Sequence, residues 1–115
     1  MWLFTLNSFV SVVRHREDPE LLLVRARRRG DLIGLLGKKW EKEVREDSQA
    51  DYRYRVILGE RAFKKIISGY ISRRLNYDNY KAAQKPDREF LDFLHEIWHL
   101  GYEMGSRFDS GLNQA

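Results

Sequence analysis

Leu21-Leu22-Leu23-Val24-Arg25-Ala26-Arg27-Arg28 decides how this chain is read. In an extended strand, successive side chains point to opposite faces. Leu22, Val24 and Ala26 then make one apolar face. Leu21, Leu23, Arg25 and Arg27 make the other, which turns from apolar to basic along the strand. Residues 51–58 repeat the arrangement. Tyr52, Tyr54, Val56 and Leu58 form an inward face, and Arg53 and Arg55 share the outer one. If both strands belong to one sheet, four guanidinium groups gather on its polar side. Such a face suits a phosphate or carboxylate partner.

Working outward, Phe9-Val10-Ser11-Val12-Val13 is β-branched and reads as a strand, continuing from Trp2-Leu3-Phe4. Residues 14–20 carry charges, Asp18 and Pro19, which is turn chemistry, so the first two strands form an antiparallel hairpin. Gly30-Asp31 starts a short helix to Leu36, with Asp31 as N-cap and Gly37 as the stop. Residues 39–45 read as a weak edge strand, and 46–50 as a polar turn. After Gly59, Phe63, Ile66, Ile67, Tyr70 and Ile71 recur at helical spacing over residues 60–75. A polar connection follows over 76–86. Asp87 then caps a last helix to about Met104, with Phe90, Phe93, Leu94, Ile97, Trp98 and Gly101 on its apolar side. The order is ββαββαα. The expectation is an α+β fold: an antiparallel sheet with helices on one face. It forms a single domain over residues 1–107, with a flexible C-terminal tail over 108–115.

The chain has 115 residues, 43% of them hydrophobic and 33% charged, which suffices for one core under a well-solvated surface. It has no cysteine, which excludes disulfides, thiolate metal sites and a cysteine nucleophile. The first residues lack the basic region and cleavage site of a signal peptide, and no apolar run approaches a membrane span. The expectation is a soluble cytoplasmic protein with no membrane partner. The net charge is +4. Its distribution is more telling than its size. Residues 61–88 hold eight Lys or Arg against Asp78 and Asp87, whereas 89–115 hold Arg107 against five acids.

The arginine face (Arg25, Arg27, Arg53, Arg55) is the first candidate site, with nucleic acid, a nucleotide or an acidic protein surface as partner. The ordinary alternative is a solvated face, with heads paired to Asp or Glu. Tyr52 and Tyr54 alternate with the arginines and so face away from them, which counts against base stacking. Lys64, with Arg61 and Lys65, gives the following helix a basic surface that can also track phosphates. Tyr77, Asn79 and Lys81 lie in a polar connection of the kind that carries binding residues; turn chemistry with tyrosine anchors explains it equally.

His95-Glu96-Ile97-Trp98-His99 spells H-E-x-x-H. Positions i and i+4 put both imidazoles on one side of a helix, and Glu103 is placed to be a third zinc ligand. Trp98 belongs to the buried stripe on this reading and His95 lies at the core edge, so a chance match explains the spelling better than a metal centre. No cofactor is implied. There is no glycine-rich phosphate loop, no G-x-S-x-G turn and no acid–base carboxylate couple.

Several pieces together resemble an uncharacterised family of small bacterial and phage-borne proteins that begin Trp-Ile/Leu-Phe-Thr. They are Trp2-Leu3-Phe4-Thr5, Phe9 to Val13, Val24-Arg25-Ala26-Arg27 with Asp31-Leu32, Asp51-Tyr52-x-Tyr54-Arg55, Tyr77-x-Asn79-Tyr80-Lys81 and His95-x-x-Trp98. The resemblance spans most of the chain and supplies positions without an activity. It requires no second histidine, so it makes His99 incidental. It places Asp where this chain has Asn76.

Three functions follow as expectations. The first is a non-enzymatic binding module whose basic face meets nucleic acid. The second is a small enzyme that gathers Arg25, Arg55, Asn79, Lys81 and His95 in one cleft. The third is a phage–host interaction protein that blocks a protein partner. A homodimer through the open edge at 39–45 is a further expectation.

Overall fold

The computed structural model describes residues 1–75 and 88–113, with side chains to residue 108. The fold is α+β, with a five-stranded antiparallel sheet and helices. In chain order the elements are β1 (Trp2–Phe4), β2 (Phe9–Arg14), β3 (Leu21–Ala26), α1 (Arg29–Leu36), a 3₁₀ helix (Lys38–Glu43), β4 (Arg45–Glu46), β5 (Tyr54–Gly59), α2 (Glu60–Arg74) and α3 (Arg88–Asn113). The strands lie in the order β1-β2-β3-β5-β4. The chain divides into two compact units, Met1–Lys85 and Pro86–Ala115.

The first unit is built on strand alternation. Val10, Val12, Leu22, Val24, Ala26, Val56 and Leu58 are buried on one face of the sheet. Val12 stands opposite Val24, and Val24 opposite Val56. Leu32, Leu35 and Leu36 of α1 and Phe63 of α2 close over these residues to complete the core. Both helices therefore cover the same face, as the alternation of residues 21–28 requires. The opposite face carries Phe9, Ser11, Leu23, Arg25, Arg55 and Ile57.

Four local expectations are corrected. Residues 2–13 are two strands, because Thr5 N–H donates to Ser8 C=O (2.8 Å) and turns the chain back on itself. Residues 39–45 do not form an edge strand. A strand would carry Lys42 inward beside Trp40 and Val44, whereas the 3₁₀ turn packs Trp40 and Val44 on the core and leaves Lys42 exposed. Gly37, at φ 102°, separates this turn from α1. Beside β5 the edge strand is only Arg45–Glu46, in place of the one expected over 39–45. Asp31 is not the N-cap of α1; Arg28 holds that place, and Asp31 lies in the first turn. The last helix continues past Met104 to Asn113. Asp87, the expected cap of that helix, lies outside the described residues.

Asp31 has a different task. The residue is 4% exposed. Oδ2 accepts the Phe9 backbone N–H (3.1 Å) and Oδ1 accepts from Arg28 Nε (3.0 Å). It thereby ties the start of β2 to the start of α1. At the other end of β2, Arg14 pairs with Glu60 (2.8 Å) at the start of α2.

Two outcomes follow. Asp31→Ala leaves a buried N–H without an acceptor and is expected to lower unfolding free energy by about 2 kcal/mol. Asp31→Asn, which keeps an acceptor, is expected to be milder; equal urea midpoints for wild type and Asp31→Ala would contradict this role. The hydrogen bond from Arg14, then the charges of Arg14 and Lys64, hold the Glu60 carboxyl below its ordinary value of 4.5. Its contribution is present above that pH and lost as pH falls through the lower folded value. Glu60→Gln is therefore expected to flatten the acid limb of stability against pH, measured by urea midpoints.

Candidate anion-binding face

The register of the sheet lines up one row across all five strands on the outer face. Trp2 is opposite Ser11, Ser11 opposite Arg25, Arg25 opposite Arg55, and Arg55 opposite Arg45. Directly paired side chains start about 5 Å apart at Cβ, and like charges so placed are destabilising. Arg25 donates through Nη2 to Ser11 Oγ (2.7 Å), and Arg55 through Nη2 to the Tyr52 carbonyl (3.1 Å). Neither bond supplies a negative charge. Among the described residues, no carboxylate pairs with Arg25, Arg55 or Arg45. The Nε–H groups of Arg25 and Arg55 are both buried and have no acceptor among the described residues.

The other two arginines of the expected ladder behave differently. Arg27 lies just beyond the end of β3 and pairs with Asp51, through Nη2 to Oδ2 (3.0 Å) and Nε to Oδ1 (3.4 Å). Its hydrogen bond to Asp51 holds the Arg27 pKa above the ordinary arginine value. Arg53 is not on the arginine face. It precedes β5, pairs with Glu46 and lies over the Tyr54 ring (5.7 Å). Glu46 is opposite Tyr54, and Tyr54 packs on the core, so this cluster alternates away from Arg55. Its hydrogen bond to Glu46 raises the Arg53 pKa. Lys64 is also apart from the row, since α2 covers the opposite face; it lies 4.0 Å from Glu60.

Tyr52 reverses the expectation made for it. It sits in a bend before β5, where strand alternation does not apply, and it joins the arginines. Arg25 and Arg27 lie over its ring at 4.7 and 4.4 Å. Phe9 meets it edge-on at 6.3 Å. Trp2, Phe4 and Phe9 continue this aromatic group along β1 and β2, with Phe4 stacked on Phe9 at 4.5 Å. The face thus combines guanidinium groups with aromatic rings. Sequence reasoning missed Trp2, Ser11, Tyr52 and Arg45. For the first two, period-two alternation placed in register with Arg25 was the available signal.

Tyr77 lies outside the described residues, as do Asn79 and Lys81, expected in a converging cleft. In the second unit, His95 is exposed, against the core-edge expectation. Trp98 is 69% exposed, not buried, and stacks on Tyr102 at 5.9 Å. His99 Nε2 lies 3.1 Å from Glu103. No group of three or more His, Asp or Glu able to hold a metal occurs among the described residues. No helix among them is long and apolar enough to cross a membrane.

The first unit is an α+β domain whose outer sheet face carries the aligned arginines Arg25, Arg55 and Arg45. Compared with protein-family models, with curated proteins and with solved structures, the chain matches none.

An anion held by Arg25 and Arg55 stabilises the folded state by mass action, by about 1.4 kcal/mol once its free concentration is roughly ten times Kd. Sulfate is therefore expected to raise the urea midpoint of the wild type and to do so far less for Arg25→Met/Arg55→Met. Equal responses, with chloride at matched ionic strength as reference, would contradict the site.

Proposed function

We propose that the first unit is a small nucleic-acid-binding module whose row Arg25–Arg55–Arg45 contacts phosphate. One observation carries this reading: Arg25 and Arg55 stand directly opposite each other and, among the described residues, have no carboxylate partner, and each has a buried Nε–H without an acceptor there. A solvated structural face would pair its arginines with carboxylates, as Arg27 and Arg53 do. Phosphate oxygens supply the missing charge, and guanidinium is matched to them. The aromatic group around Tyr52 favours nucleic acid over a simple inorganic anion. The pieces that resemble the Trp-Ile/Leu-Phe-Thr family at Trp2, Phe9, Arg25 and Arg55 fall on this face, which supports its use in function.

The test is salt-dependent binding of labelled RNA and DNA. Each phosphate contact contributes about 0.7 to the slope of log K against log salt for single strands. Arg25→Met/Arg55→Met is expected to weaken binding and reduce the slope. Arg27→Met/Arg53→Met removes equal formal charge from paired positions and is expected to do less. Equal losses in both variants would reduce the face to a general electrostatic surface.

A further inference from the structure

We infer that the face selects single-stranded over double-stranded nucleic acid, with Trp2 as the ring on which a base stacks; this rests on the phosphate reading of the arginine row. Trp2 ends that row. It is 66% exposed, although it is one of the largest side chains of the domain. It takes no part in the core formed between the sheet, α1 and α2. The indole is nonetheless held. Phe4 and Phe9 meet it nearly perpendicular, at 6.5 and 6.0 Å. Edge-to-face contacts fix a ring's orientation, so Trp2 is an oriented, exposed aromatic surface and not a loose end.

Its position relative to the cations follows from the register. Trp2 is opposite Ser11, whose hydroxyl accepts from Arg25. Adjacent strands are about 4.8 Å apart. The indole therefore lies roughly 10 Å from Arg25 along the row, and Arg55 one strand further. A chain crossing the strands along the row meets an aromatic ring, then the guanidinium groups. In a single strand the bases are free to unstack onto such a ring while the backbone follows the cations. In a duplex they are stacked within their own column and only phosphates reach the face. Every base has a π-face, so this recognition tolerates any sequence.

The experiment compares an oligothymidine of about twelve nucleotides with a duplex of the same length, by fluorescence anisotropy at fixed low salt. The proteins are the full chain, Trp2→Ala, Trp2→Phe and Arg25→Met/Arg55→Met, with folding checked by circular dichroism. The wild type is expected to prefer the single strand. Trp2→Ala is expected to lose about tenfold in single-strand affinity and little for the duplex, and Trp2→Phe to recover most of the loss. Single-strand affinity unchanged by Trp2→Ala, while the double arginine variant loses binding, overturns the stacking role and leaves the phosphate row intact. No binding of either nucleic acid by the wild type overturns both.

Discussion

The structure depends on the register between β3 and β5. Val24 opposite Val56 and Leu22 opposite Leu58 bury four aliphatic side chains under α1 and α2. Slipping one residue would send those side chains to the outer face and the arginines into the core. Because the side-chain period is two, the pairing that buries Val24 also places Arg25 opposite Arg55. The apolar face thus imposes two like charges side by side on the polar face. Nothing in the core requires those positions to be arginine, and Leu23 opposite Ile57 is the neutral solution two residues away.

Charge pairing separates the two kinds of arginine in this domain. Arg14, Arg27, Arg28 and Arg53 each reach a carboxylate. Most of these pairs are exposed and contribute little to stability. Their value here is as an internal comparison: carboxylates are available around the sheet, yet Arg25 and Arg55 face a hydroxyl and a carbonyl instead. Tyr52 beneath Arg25 and Arg27 supplies a π-face that tolerates cations without neutralising them.

Where physics acts through short-range periodicity, the chain was readable. The alternation in residues 21–28 and 54–58 specified two central strands and the face that helices cover. The helical spacing from Phe63 to Ile71 specified α2. Elsewhere a non-local or strictly positional effect decided. The turn between β1 and β2 has no glycine or proline and is closed by Thr5 and Ser8, so the two strands read as one. Lys42 between Trp40 and Val44 was the signal against a strand at 39–45, but its weight depends on both aromatic and aliphatic side chains reaching the core. Tyr52 and Arg53 lie outside β5, and extending alternation two residues too far exchanged their faces. Arg25 and Arg55 were legible as candidates; that they stand opposite each other, with Arg45 beside them and Trp2 at the end of the row, follows only from register.

The most direct measurement is the NMR signal of each arginine Nε–H during titration with a short single-stranded oligonucleotide. If the row receives phosphate, the signals of Arg25 and Arg55, whose Nε–H groups have no acceptor among the described residues, shift together and saturate. Those of Arg27 and Arg53, already donating to Asp51 and Glu46, move little. Shifts confined to Arg27 and Arg53, or no saturable shift at Arg25 and Arg55, would contradict the account.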